Sequence, residues 1–296
     1  MLGRRAWTTI PAADVGYPPH IPLHQLAPDH ILNLLSTMRG KGLSENTLLH
    51  AYVLLRQSLK HAVQWGKLAS NPCDRVQRPR AKRTEMKTLG TDAIDTFFQA
   101  IEPSEYANVY RAVFFTGARR SEILALRWPQ VDLEDRSISI VDGLQRIEGR
   151  GLVVLDTKTQ KSRRRIPIPQ TVLNILRSIK GRQIELAELT LGHPWNSEGY
   201  AFSRSDGSAM SPDAVTHDFT KRMRAVGIEG IHLHSLHHGF ASLLLAQGEH
   251  PKVVQDLLGH SNVAITMDTY SHVLPGLKDA AIGEFAARFA GSYNHS

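Results

Sequence analysis

Four short segments of this sequence concentrate residues able to do chemistry. The first is Thr116-Gly117-Ala118-Arg119-Arg120-Ser121-Glu122. A glycine turn running into a short helix places Arg119 at a helix start, and Glu122, one turn on, can hold Arg119 or Arg120 in place. The second centres on Lys158 in Thr157-Lys158-Thr159-Gln160-Lys161-Ser162. A lysine in a turn is ordinarily just solvated, yet a hairpin is a good device for reaching a long cationic arm into a groove of DNA. The third, Ile231-His232-Leu233-His234-Ser235-Leu236-His237-His238, packs four histidines into seven positions. His234 and His238 stand one helical turn apart, a spacing that suits zinc, but neither a His-Glu-x-x-His pattern nor a suitably spaced carboxylate or cysteine completes a ligand set. The fourth is Leu257-Leu258-Gly259-His260-Ser261, followed by Thr269-Tyr270-Ser271-His272. Gly259 reads as a helix stop that exposes His260. A lone tyrosine such as Tyr270 is usually a half-buried packing residue.

The elements that must carry these segments follow from periodicity and punctuation. The first 26 residues, with Pro11, Pro18, Pro19 and Pro22, read as an extended arm. Asp29 is positioned to cap a helix with Ile31, Leu34, Leu35 and Met38 on its apolar face, and Ser44 to cap a longer one through Leu59 and Val63. Residues 71–88, holding Arg75, Arg78, Arg80, Lys82, Arg83 and Lys87 with two prolines, read as a basic linker, either simply solvated or laid along a phosphate backbone. Beyond it, Thr91 and Ser104 can each cap a helix, the second ending at Gly117. Ser137–Val141, Leu152–Leu155 and Arg165–Ile168 read as strands, with a turn over Thr159–Ser162 between the last two. The pattern is then helical over 170–179, 211–225, 235–247, 251–258 and 276–290. The expected fold class is mainly α with a small antiparallel β-sheet. Residues 1–84 form the arm and a helical domain, possible front truncation included, and 85–296 a larger α+β domain.

Composition narrows the function. A chain of 296 residues with 42% hydrophobic residues can build one large core or two ordinary ones. A formal net charge of +7 favours a polyanion partner over a small neutral metabolite, because Lys and Arg at phosphates release counterions. Cys73 is the single cysteine, so no internal disulfide or multi-cysteine metal site is possible. Neither a secretory signal nor an apolar run of membrane-spanning length is present, which points to a cytoplasmic, nucleoid-associated protein with no membrane partner.

Taken together, the four segments resemble the tyrosine recombinase family, the phage integrases. The matching blocks are TGARRSEILALRW, TKTQKSRRRIPIP, HLHSLHHGFAS and LLGHSNVAITMDTYSHV, which cover nearly all of residues 110–273. Order, spacing and flanking apolar residues all agree. The resemblance implies a helical core-binding domain ahead of an α+β catalytic domain, the two clamping a DNA duplex. It implies Arg119, Lys158, His234, His260 and Tyr270 as active-site residues and Glu122 as a supporting acid. Tyr270 would attack a DNA phosphodiester to give a 3′-phosphotyrosine and a 5′-hydroxyl, with no ATP, no cofactor and no metal. Arg119 and His260 would hold the non-bridging oxygens, Lys158 would protonate the leaving oxygen and His234 would manage the tyrosine proton. The implied partners are double-stranded DNA, a homotetramer on paired sites in which Ile282, Phe285, Ala286 and Phe289 could dock on a neighbour, and accessory DNA-bending or directionality proteins.

One position departs from the family pattern: His237 stands where the family has a second arginine. A histidine offers one donor for arginine's two and is only partly charged at neutral pH. This implies a slowed or impaired enzyme that still binds DNA, whose activity rises as pH falls toward 6 unless loss of the other histidines' basic form masks the gain; the alternative is that neighbouring Arg120 or His238 compensates. The alternatives are a decayed integrase that only binds DNA, a type IB topoisomerase, and a zinc hydrolase.

Overall fold

The computed structural model describes residues 21–80, 89–156, 163–189, 196, 198–260, 262, 263, 282, 283 and 285–287. The chain divides into two compact units, Met1–Glu85 and Met86–Ser296.

In the first unit, α1 (Pro28–Gly40) begins on a proline, whose fixed φ and missing N–H cost nothing at a helix start. Asp29 is therefore inside the first turn, where its charge favours the helix dipole, and does not cap it. The N–H of Ala27 instead donates to Nδ1 of His30 at 3.0 Å. Helix α2 (Glu45–Gln64) is capped as its sequence predicts, Ser44 Oγ accepting from the Thr47 N–H. Ile31, Leu35 and Met38 of α1 pack on Leu48, Tyr52 and Leu59 of α2. The expected linker supplies a third wall to this small core. Cys73 and Val76 are buried in it, and the Tyr52 hydroxyl lies 2.9 Å from the Cys73 carbonyl oxygen and 3.3 Å from that of Val76. The side chains of Asp74, Arg75, Gln77, Arg78 and Arg80 keep the solvated character that composition suggested, and residues 81–88 lie outside the described residues.

The second unit opens with α3 (Ile94–Ile101) and α4 (Ala107–Thr116), joined through Ser104, whose hydroxyl accepts from the Tyr106 N–H and donates to Asp218. Phe97, Tyr110 and Phe219 meet in the core. Helix α4 ends on Gly117 at φ 63°, and a Cβ there would also collide with the Phe240 ring, so both backbone and packing require glycine. A six-residue helix, α5 (Arg120–Ala125), follows.

The strands are β1 (Val131–Asp132), β2 (Ser137–Ile140), β3 (Asp142–Ile147), β4 (Gly151–Asp156) and β5 (Arg164–Pro167). They form two antiparallel sheets where one was expected: a three-stranded sheet in the order β1-β2-β5 and a two-stranded sheet of β3 and β4. The segments 152–155 and 165–168 are thus not a hairpin. Leu152 pairs with Arg146, while Ile166 pairs with Ile138. The deciding signal is the Gly149–Gly151 turn, with glycines at φ 75° and 73°, which folds β4 back on β3.

Helices α6 (Gln170–Leu189), α7 (Pro212–Ala225), α8 (Leu233–Ala246) and α9 (Pro251–Leu258) complete the described part of this unit. Helix α6 runs about ten residues past its expected end. Ser211 caps α7. Ala241 and Leu245 of α8 pack on Val254 and Leu258 of α9. Most of 276–290 lies outside the described residues; those described there, 282, 283 and 285–287, are helical.

Candidate active site

Three pieces of backbone converge at the site: the Gly117–Arg119 turn between α4 and α5, the first two turns of α8, and the turn after α9. Arg119 occupies the position before α5. Its N–H donates to Glu122 Oε2 at 2.7 Å and its Nη1 to Oε1 at 2.8 Å, so the acid clamps the arginine by both main chain and side chain. Glu122 is 5% exposed, whereas Arg119 keeps 32% of its side chain open to solvent. The pairing of Arg119 with Glu122 is therefore the one its spacing suggested. Arg120 turns the other way, donating to the Pro212 carbonyl at 2.9 Å and to the Thr216 hydroxyl, and supplies no charge here.

A second arginine does reach Glu122. Arg164, at the start of β5, donates from Nη2 to Oε2 at 2.7 Å and from Nη1 to Oε1 at 3.1 Å. Burial pushes the Glu122 carboxyl up, but the hydrogen bonds and charge of Arg164, then the charge of Arg119, overcome it and hold the group below the ordinary carboxylate range. Arg164 Nε donates to the Leu257 carbonyl at 2.6 Å. The sequence offered no sign of this role. In Arg163-Arg164-Arg165 the outer two are surface residues paired with exposed aspartates, and only the strand's alternation separates the middle one from them.

Opposite the arginines stand four imidazoles. The rings of His234 and His237 are stacked 5.4 Å apart, His238 lies edge-on to His234 at 4.5 Å, and His260 lies 5.7 Å from His237. His238 Nε2 is 3.1 Å from His234 Nε2. The fold thus brings together Arg119, His234 and His260 of the expected set; Lys158 and Tyr270 lie outside the described residues. His260 follows Gly259, and its backbone is held at both ends by Gln255, whose carbonyl takes the His260 N–H while its amide donates to the His260 carbonyl.

All four rings are pushed toward the neutral form. Burial, then the charge of Arg119, lowers His234, although the ring keeps an exposed edge. Burial and then His234 push His238 down to about 4, and burial followed by Arg119 and Arg164 pushes His260 down to about 4. His237 is lowered well below its ordinary value, by burial first and Arg119 second. Its Nδ1 contacts the Gly117 carbonyl, which can only accept, so Nδ1 carries the hydrogen and the neutral ring leaves Nε2 as an acceptor. His237 is therefore a neutral ring fixed to the α4–α5 turn and no cationic donor. Burial and the charge of Arg119 thus oppose the gain of charge near pH 6 that an unperturbed histidine would show. His238 offers no replacement, being neutral and joined to His234. Among the described residues no group of three His, Cys, Asp or Glu is arranged to hold a metal ion. No helix among them is long and apolar enough to cross a membrane.

The chain has relatives among known proteins. The sequence model of the phage integrase family matches residues 87–276. The chain belongs to the phage integrase family. It is 28% identical to a XerC-like tyrosine recombinase of Caldanaerobacter subterraneus, over 82% of this chain and 66% of the relative. It is 30% identical to the ICEBs1 integrase of Bacillus subtilis, over 79% of this chain and 63% of that one. The chain thus spans a little under two thirds of the length of these curated relatives. Its fold is that of the Tn1549 transposon integrase solved with transposon right-end DNA, at a TM-score of 0.74 and 22% identity, covering 91% of this chain and 87% of the other. Mainly helical structure with small antiparallel sheets is the architecture this family shares with the integrase structures.

Proposed function

We propose that this phage integrase family member cuts and rejoins double-stranded DNA at a specific site through a 3′-phosphotyrosine. The observation that carries the reading is the pairing of a half-open arginine, Arg119, with neutral imidazoles from α8 and from the turn after α9. A transferring phosphoryl group gains negative charge on its non-bridging oxygens, and a preset guanidinium fork is the direct counter to that charge. In the proposed reaction the Tyr270 oxygen bonds to phosphorus as the bond to the 5′-oxygen breaks. His234, unprotonated at neutral pH, accepts the tyrosine proton; Lys158 gives a proton to the leaving oxygen; His260 donates a neutral N–H to a phosphoryl oxygen. The diester bond energy is retained in the protein linkage, so rejoining is the same step reversed.

By analogy with the family, both the helical first unit and the catalytic unit bind the duplex, with four protomers joining two sites. Accessory DNA-bending or directionality proteins and a place at the nucleoid belong to the same proposal. The relatives support DNA as substrate because one solved neighbour carries transposon DNA.

The test is capture of the covalent intermediate. The protein is incubated with fragmented DNA of its source, denatured, and the DNA that stays with protein is sequenced. Adducts at one recurring sequence, absent from Tyr270→Phe, support the reading; adducts that persist in Tyr270→Phe refute it.

A second reading rests on His237. With that ring neutral and fixed on Gly117, the site lacks the second family arginine, and a DNA-binding protein without cleavage follows if the loss is complete. DNA binding with no adduct from the natural protein, and adducts from His237→Arg, would establish it.

A further inference from the structure

Glu122 is a buried carboxylate with four donors on two oxygens. Oε1 accepts from Arg119 Nη1 at 2.8 Å and Arg164 Nη1 at 3.1 Å; Oε2 accepts from the Arg119 N–H at 2.7 Å and Arg164 Nη2 at 2.7 Å. Arg164 is 6% exposed and Glu122 5%, while Arg119 is 32% exposed. The charge count decides what this means. Arg119 and Glu122 alone would cancel, leaving a neutral pair. With Arg164 behind them the triad carries one net positive charge, and the open member, Arg119, presents it. In a pocket whose imidazoles are all held neutral, that single charge is the electrostatic resource of the described part of the site.

Arg164 also has a mechanical role. Its Nε bond to the Leu257 carbonyl, at 2.6 Å, ties β5 to the last turn of α9, two residues before Gly259 and three before His260. Gly259 sits at φ 65°, and a Cβ on it would come within 2.8 Å of Arg164 Nη1, so the guanidinium lies directly against the turn that presents His260. One side chain thus touches both the acid that sets Arg119 and the turn that sets His260.

We infer that Arg164 is a positioning residue of the site: it neutralises Glu122 so that Arg119 keeps its charge for a phosphoryl oxygen, and it fixes the turn carrying His260. The inference rests on the proposed DNA cleavage. The experiment compares wild type, Arg164→Lys and Arg164→Gln on a duplex carrying the sequence recovered by adduct capture, with thermal melting to confirm folding. Arg164→Gln lowers the single-turnover cleavage rate about 10²-fold at saturating protein while duplex affinity is unchanged. Arg164→Lys, which keeps the charge and loses the fork, retains cleavage within about 10-fold. A methylphosphonate at the scissile position, which lacks one oxygen charge, narrows the gap between wild type and Arg164→Gln. Equal cleavage by Arg164→Gln and wild type overturns the inference, as does an equal loss in both variants that the methylphosphonate leaves unchanged.

If wild type forms no adduct, the cleavage reading fails, and Arg164 is judged by nitrogen-15 NMR titration of His260 in the free protein. The triad arrangement requires the His260 midpoint to rise in Arg164→Gln and to fall in Glu122→Gln, opposite signs that local unfolding does not produce. Midpoints unmoved in both variants overturn it.

Discussion

The two sides of the pocket are built on opposite principles. On the α5–β5 side, charge is buried but fully paired: two guanidinium groups share one carboxylate, and one net charge emerges at Arg119. On the α8–α9 side, each of four titratable rings lies 4.5–5.7 Å from at least one other, and each is pushed toward its neutral form. The difference teaches that the same burial that would penalise a lone charge is tolerated where hydrogen bonds saturate it, and otherwise drives the group neutral. His237 makes the contrast sharp, because the proposed reading expects an arginine there, yet the ring belongs electrostatically to the neutral side.

The largest expected effect breaks the charged side. Arg119→Gln should lower cleavage by about 10³-fold or more, with little loss of duplex affinity, since it removes the one open guanidinium donor among the described residues of the site; single-turnover cleavage against binding measures both. Next comes the conversion of the neutral side. His237→Arg should raise cleavage by about 10²-fold, the value of one good oxyanion donor. If it leaves the rate unchanged, with melting showing an intact fold, the account of His237 as the missing charge is wrong. Glu122→Gln tests the buried pairing itself. It leaves Arg164 buried without its carboxylate and should cost about 3–5 kcal/mol in chemical denaturation.

The smallest effect is on pH dependence. His238 and His260, held near 4, stay unprotonated in the fold while the unfolded chain takes up protons at the ordinary histidine value of about 6.5. Their depressed values make stability present above about pH 6.5 and lost progressively as pH falls toward 4. Melting temperature should decline across that window, and His260→Asn should decline less steeply. Equal slopes would show that His260 is not buried in the neutral form.

Much of this site was legible in the sequence because its signals are local. Gly117 and Gly259 announce helix ends, Ser44 announces a helix start, and the spacing from Arg119 to Glu122 is one helical turn. What escaped depends on distant partners. Nothing in Arg163-Arg164-Arg165 marks the middle arginine as buried until β5 is placed against α5. The Cys73–Val76 segment looked like linker because arginines and prolines surround it, while its two apolar side chains complete a core made by α1 and α2. The pairing of β3 with β4 turned on two glycines that composition alone did not weigh. The pKa directions of the histidines were equally hidden, since they come from burial and from Arg119, both tertiary.

The most direct test of the central claim is to identify the nucleophile chemically. Protein trapped on DNA is digested with nuclease and protease, and the peptide that retains a nucleotide is sequenced by mass spectrometry. The account predicts a 3′-linked nucleotide on Tyr270, lost in Tyr270→Phe and scarcer in Arg119→Gln. A nucleotide on any other residue, or an adduct that survives Tyr270→Phe, would contradict it.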